Sequence, residues 1–181
     1  VPITGENRIM TYYGLKLLKN KPRPGIFAIM QVSGIVNPEN LAFVREMNIS
    51  DLVFYIGPRI NAAGRMESGR ESVSLLIADD AEAATLMANQ INQYNTSRRS
   101  LDMQTTQEAL DMFSADQNML KSKSTVVFNP DWHKGVIGIV ASRLTDHYYR
   151  PTIVFTRSND MITGSARSIK DFDIYDAIDA C

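Results

Sequence analysis

The sequence predicts an α/β protein: a helical N-terminal segment and a long connecting helix, then a smaller lobe built from a β-α-β unit and a hairpin. Three observations predict it. Over residues 1–69, apolar positions recur at helical spacing between capping residues and prolines. Residues 70–123 contain neither glycine nor proline. From residue 125 onward the pattern switches to short runs rich in β-branched residues. The chain accordingly divides into residues 1–69, 70–120 and 121–181.

The elements follow in order. Ile9, Tyr13 and Leu17 mark the apolar face of a first helix, which Asn20 closes. Pro24 opens a second, carrying Ile26, Phe27, Ile29 and Met30, because the first helical position needs no N–H donor. Asn37-Pro38 repeats that signal ahead of Leu41, Val44 and Met47, which predicts a third helix. Ser50 caps a fourth, and Gly57-Pro58 terminates it.

A short helix over residues 71–78 leads to Asp79, which is placed to cap a longer one, with Glu82 completing a capping box. At ~1.5 Å per residue, a helix from there to residue 116 would span ~55 Å. Its apolar residues gather at the ends: Ala84, Leu86, Met87 and Ile91 at one, Leu110, Met112 and Phe113 at the other. Residues 95–100 are polar all round, as suits a strut with a solvated waist between two lobes. Two helices meeting near Asn95 are the alternative. In the last third, residues 125–128 and 152–156 read as strands flanking a helix over 136–144. That predicts a parallel pair with a right-handed crossover. Residues 157–160 turn into a third strand over 161–165, and residues 172–180 begin another helix.

Composition narrows function only a little. Apolar residues make up 44% and charged residues 22%, as in ordinary globular proteins. No run is apolar enough to cross a bilayer, and the start does not read as a signal peptide. The single cysteine, Cys181, excludes an internal disulfide and fits a reducing cytoplasm. With 19 basic and 20 acidic residues the net charge is −1, so bulk charge does not favour nucleic acid. Any hold on phosphates must come from placed arginines and backbone amides. The sequence starts at Val1 without a methionine and stops within a helical pattern at Cys181. An internal piece of a longer protein is therefore expected.

Three stretches carry candidate chemistry. Residues 57–65 read Gly-Pro-Arg-Ile-Asn-Ala-Ala-Gly-Arg. There Arg59, Asn61 and Arg65 flank small residues that admit a close ligand, and guanidinium forks match phosphate oxygens. A helix-to-helix turn with solvated arginines is the plainer reading. Residues 132–138 read Trp-His-Lys-Gly-Val-Ile-Gly, between a strand end and a helix start, where free amides and the helix dipole favour an anion. His133 and Lys134 could contact that anion; Trp132 and the glycines could equally serve packing. Residues 164–168, Gly-Ser-Ala-Arg-Ser, leave the third strand with two hydroxyls and a guanidinium, a cup for a terminal phosphate or an ordinary loop. Asp171, Asp173, Asp176 and Asp179 straddle a helix start and read as caps rather than metal ligands. Zinc, P-loop and nucleophile-elbow signatures are absent from the sequence.

Taken in this order, the three stretches resemble the RecJ branch of the DHH phosphoesterase superfamily. Residues 57–65 are similar to its P-R-[IL]-N-A-A-G-R motif, residues 132–144 to W-H-x-G-V-I-G-I-V-A-S-R-L, and residues 164–168 to G-S-x-R-S. The resemblance covers essentially the whole chain. It implies that residues 1–69 are the helical end of a DHH catalytic lobe, 70–120 the connecting helices and 121–181 a truncated DHHA1-type lobe. It also implies 5′→3′ hydrolysis of single-stranded DNA in repair and recombination, with Mn²⁺ or Mg²⁺ activating the attacking water.

By the same resemblance Arg59, Asn61 and Arg65 contact the nucleotide near the scissile bond. His133 and the amides near Gly135 touch phosphate, and Ser165, Arg167 and Ser168 hold the 5′-terminal phosphate. The family's metal-ligand motifs lie upstream of the equivalent of Val1. No catalytic residue and no metal ligand is therefore expected in this chain, which alone should be inactive. The implied partner is single-stranded DNA with a 5′ end, with single-strand-binding proteins or helicases beside it, in the cytoplasm and away from membranes. Two alternatives stand: a DHH phosphoesterase for short oligonucleotides or cyclic dinucleotides, and a non-catalytic single-strand-binding relative.

Overall fold

The structure is a computed structural model that describes residues 3–181, and the chain divides into two compact units, Val1–Thr96 and Ser97–Cys181. The first is helical: α1 (Gly5–Asn20), α2 (Pro24–Val32), α3 (Ile49–Asp51), a π-helical stretch (Leu52–Ile56), α4 (Gly57–Met66) and α5 (Gly69–Ile77). The long α6 (Ala81–Ala115) begins in this unit and ends in the second. Ile29, Met30, Val36, Leu75, Ala84, Ala88 and Ile91 form the core of the first unit.

Several expectations are corrected here. In α1 the helix and its end at Asn20 stand, but Ile9, Tyr13 and Leu17 are exposed, and Leu15 and Leu18 pack on the core. No third helix follows Asn37-Pro38. The Asn37 and Asn40 side chains accept hydrogen bonds from the Glu39 and Ala42 amides (2.8 and 3.0 Å), and Leu41 takes a φ of 56°. These local Asx turns outcompete the helix and leave a small loop closed by a Val36–Phe43 bridge. The next helix is capped by Asn48, not Ser50. Asn48 Oδ1 accepts from the Ser50 amide and Asp51 closes the box on the Asn48 amide, both at 2.8 Å.

Gly57-Pro58 does not stop that helix either. Pro58 cannot donate to the carbonyl one turn back, and the preceding residues widen into the π-helical stretch, which carries the chain through the proline into α4. Residues 57–65 are thus helical, not a turn.

α5 starts two residues earlier than expected, on Ser68 as cap. Asp80, not Asp79, caps α6 by accepting from the Ala83 amide (2.7 Å), while Asp79 pairs with Arg23 (3.2 Å). α6 is one continuous helix of 35 residues; within 95–100, Thr96, Ser97, Arg99 and Ser100 are exposed, as expected of a solvated waist, while Asn95 is buried, as are Asp102 and Thr105 beyond it. Leu86, expected to pack, is exposed.

The second unit adds α7 (Gln117–Lys121), β1 (Thr125–Phe128), α8 (Ile137–Tyr148), β2 (Thr152–Ser158), β3 (Met161–Arg167) and α9 (Ile174–Asp179). β1 and β2 are parallel, with Val127 opposite Val154, and β3 runs antiparallel to β2, with Val154 opposite Ser165. The hairpin turns on Asn159 and Asp160, both at positive φ (51° and 60°), the geometry a two-residue hairpin needs. Val127, Val154, Val140, Leu144 and Trp132 pack with Ala109 and Phe113 of α6 in one core. Asp173 caps α9 by accepting from the Tyr175 and Asp176 amides, as expected of the aspartate run. Among the described residues no helix is long and apolar enough to cross a membrane.

Candidate functional site

The sequence-predicted residues fall in two places, one per unit. In the first unit α4 presents Arg59, Asn61 and Arg65. Asn61 and Arg65 stand four residues apart on one exposed helical face, while Ala62 and Ala63, turned to other sides of the helix, are buried. Arg59 is half-buried and anchored, its Nε donating to Asn92 Oδ1 of α6 (2.8 Å) and its Nη1 to the Tyr55 carbonyl (2.7 Å) in the π-helical stretch. The π-turn that admits Pro58 thus also supplies a carbonyl that orients Arg59.

In the second unit the other two stretches meet at the start of α8. Arg167 Nε donates to Ser142 Oγ (2.9 Å), Arg167 Nη1 donates to Ser165 Oγ (3.2 Å), and Ser142 Oγ donates to the Gly138 carbonyl (3.1 Å). Gly138 explains how β3 comes so close. A Cβ there would lie 3.0 Å from Ser165 Oγ and 3.1 Å from Arg167 Nη2. The bare backbone there lets the guanidinium and hydroxyl sit against the first turn of α8, where the Ile139 and Val140 amides bond to the Val136 carbonyl and the helix dipole favours an anion. The antiparallel register does the rest. Ser165 and Arg167 are two residues apart on β3 and face the same way, toward α8, while Ala166 points to the other side.

Other predicted residues are placed differently. The Gly135 amide donates to His133 Nδ1 (3.0 Å), which sets that nitrogen as acceptor and leaves Nε2 to carry the proton of the neutral ring. His133 therefore offers an N–H donor, with its ring held over the loop backbone. Ser168 stands apart from Ser165 and Arg167: its hydroxyl donates to the Ile169 and Phe172 carbonyls of the following loop. Lys134 is exposed, and Trp132 is a packing residue, 4% exposed, with its indole N–H on Glu108 Oε2 (2.8 Å). Hydrogen bonds from the Gln104 amide and that indole hold the Glu108 carboxyl below the usual carboxylate range. Ser142 was missed by sequence reasoning; its signal was there, four residues after Gly138 and so on the same helical face.

The second-unit arrangement brings a guanidinium, the Ser165 hydroxyl and a helix start around one point, with Ser142 Oγ bridging Arg167 to the Gly138 carbonyl, a setting for a phosphate or other oxyanion. It offers no nucleophile–base pair. Nor does any group of three or more His, Cys, Asp or Glu come together to hold a metal among the described residues.

Comparison with known proteins gives a likeness in sequence and fold. Residues 121–181 match the DHHA1 domain. Over 99% of its length the chain is 35% identical to the single-stranded-DNA-specific exonuclease RecJ of Salmonella typhimurium, covering 30% of that protein. It is 34% identical over 100% of its length to the RecJ of Bacillus subtilis, covering 22% of it. The fold matches the crystal structure of RecJ with Mn²⁺ from Thermus thermophilus at a TM-score of 0.81 and 26% identity, over 99% of this chain and 25% of that one. The chain thus spans less than a third of the length of these relatives. The chain is thus similar to RecJ over essentially its whole length, and its residues 121–181 match the DHHA1 domain.

Proposed function

We propose that the chain is the strand-gripping part of a single-strand-specific 5′→3′ exonuclease of DNA repair and recombination. In this reading Ser165 and Arg167, with Ser142 and the first turn of α8, receive the 5′-terminal phosphate. The observation that carries it is the convergence of Arg167, Ser165 and Ser142 on the bare backbone of Gly138. His133 supplies a neighbouring N–H donor near Gly135. Ser168, turned into its loop, shapes the rim. Arg59, Asn61 and Arg65 bind the strand nearer the scissile bond.

The same reading assigns residues 1–69 to the end of a catalytic lobe, 70–120 to the connecting helices and 121–181 to the substrate-binding lobe. Mn²⁺ or Mg²⁺ would be held by residues outside this chain, which should not hydrolyse DNA alone. A cytoplasmic protein working beside single-strand-binding proteins or helicases completes the picture.

The test is binding of a short single-stranded DNA bearing a 5′-phosphate or a 5′-hydroxyl, at low salt, where phosphate contacts are strongest. The chain should prefer the phosphorylated end by about 10- to 100-fold, the worth of one or two hydrogen bonds to a charged group. Arg167→Ala should abolish the preference. Equal binding of both ends, unmoved by the substitution, would remove the terminal-phosphate assignment.

Gly138→Ala tests the geometry separately. Alanine is the better helix former, by up to about 1 kcal/mol. The variant should therefore melt at the same temperature or higher, yet lose about tenfold in 5′-phosphate preference as Ser165 and Arg167 are pushed aside. A binding curve identical to the parent's would show that the cup does not need the close approach.

A further inference from the structure

Beside this cup lies a buried ion pair that the reading above does not use. Asp102 of α6 is 2% exposed, and its Oδ2 accepts from Arg143 Nη2 of α8 at 2.8 Å, with Arg98 Nη1 at 3.8 Å. Its Oδ1 is buried with no hydrogen-bond partner among the described residues. Burying a carboxylate half-satisfied is a poor way to stabilise a helix pair, since its desolvation offsets the attraction and apolar packing would serve as well. What the pair does supply is direction: it fixes the guanidinium of Arg143, whose side chain is 50% exposed. Arg143 follows Ser142 directly, about 3.8 Å away at Cα, and Ser142 is already bonded to Arg167. Successive residues on a helix point to different sides, so Arg143 faces Asp102 beside the cup rather than into it, on the flank along which a strand would leave Arg167.

We propose that Arg143, aimed by the positioning residue Asp102, binds the second phosphate of the strand, the first internucleotide linkage. This deepens the terminal-phosphate reading and rests on it. The chemistry is that of a guanidinium pre-oriented by a buried carboxylate, with its remaining N–H donors turned outward to a phosphodiester.

The probes are 5′-phosphorylated pentathymidylate and the same oligonucleotide with a neutral methylphosphonate at its first linkage. The unmodified chain should bind the methylphosphonate about tenfold more weakly. Arg143→Gln should bind both probes alike, at the weaker level, and its slope of log affinity against log salt should fall by about 0.7, one phosphate contact on a single strand. Arg143→Lys should keep the salt slope. Asp102→Asn should lower discrimination between the probes while keeping the slope, because it loosens the arginine without removing its charge. Trp132 fluorescence on denaturation identifies any variant that fails to fold, and the Arg143 variants alone decide the matter. If Arg143→Gln still discriminates between the probes as the parent does, this proposal is wrong. Should Arg167→Ala at the same time remove the 5′-phosphate preference, the terminal-phosphate reading survives it. If Arg167→Ala changes nothing, or the chain binds neither probe, that reading fails and takes this one with it.

Discussion

Gly25→Ala should unfold the N-terminal unit. A Cβ on Gly25 would sit 1.7 Å from the carbonyl oxygen of Leu75 and 2.7 Å from its carbonyl carbon. The obstacle is backbone, inside α5, so no side chain can swing aside. Leu75 is itself fully buried in the core that Ile29 and Met30 of α2 share. α2 and α5 would have to part, opening that core. Glycine to alanine in an unhindered helix gains up to about 1 kcal/mol. Overpacking a core ordinarily costs about 1–3 kcal/mol when side chains can adjust. With neither helix free to adjust, a net loss above about 3 kcal/mol is expected. Hydrogen exchange read residue by residue is the check: amides of α2 and α5 that are protected in the parent should exchange freely in the variant. Protection unchanged in both helices would mean that the pair separates at little cost.

Nothing in the sequence announces this glycine, which looks like an ordinary residue behind Pro24 at a helix start. Its reason lies fifty residues away, in the backbone of α5. The same boundary between local and distant information runs through the whole chain. β1, α8, β2 and β3 were legible because short β-branched runs, helical spacing and a turn-forming Asn-Asp are local signals, and the parallel pairing follows from their order. The helix expected after Asn37-Pro38 failed for a reason also local but not weighed, since Asn37 and Asn40 can fold their own side chains onto nearby amides. In the middle of α6 the burial of Asp102 has a distant cause: Arg143, from another helix, is brought against it.

The candidate site divides in the same way. Arg167, Ser165 and the Gly138 turn were legible as motif residues, but their meeting required the β2–β3 register and the packing of β3 on α8. That His133 would accept from the Gly135 amide, and that Ser168 would turn into its loop, depend on side-chain rotamers no pattern records. Arg59 illustrates both sides. Its presence in a phosphate-matching motif was visible, whereas its anchoring on Asn92 and Tyr55 follows from a proline that widens a helix instead of ending it.

The second large effect is expected at Arg150, the buried cation of the C-terminal unit. At 7% exposed, its Nε donates to Thr125 Oγ1 (2.8 Å), Nη1 to the Leu120 carbonyl (3.1 Å) and to that of Ser122, and Nη2 to Met119 (2.9 Å). The guanidinium also lies 4.9 Å from the Tyr148 ring centre and 5.5 Å from that of Phe113. Its recorded partners are carbonyl dipoles, a hydroxyl and ring faces. The carbonyls belong to the end of α7 and the residue that follows it, where a short helix leaves its last acceptors without partners of its own. One side chain thereby ties α7 to β1 and to the rings on α6 and α8.

Arg150→Ala leaves these acceptors without their donor, Thr125 in the interior and the carbonyls at residues that are half-buried or exposed. At about 1–3 kcal/mol for an unsatisfied buried group, together with the cavity left by the lost stem, a loss of about 3 kcal/mol is expected. Arg150→Lys keeps the charge but lacks the fork that reaches three carbonyls and a hydroxyl at once, and should recover less than half of it. Trp132 is the only tryptophan in the chain and is buried in this unit, so its fluorescence follows the unit directly. With a urea slope of about 1–3 kcal/mol per molar, the alanine variant's midpoint should fall by at least about 1 M. A midpoint within a few tenths of a molar of the parent's would mean that water satisfies those carbonyls as well as the guanidinium does. Because β2 starts two residues after Arg150 and carries β3 on its far edge, the variant should lose 5′-phosphate preference at the urea concentration where Trp132 becomes exposed, and not before. Loss of preference while Trp132 is still buried would assign Arg150 a part in the site itself rather than in the frame that holds it.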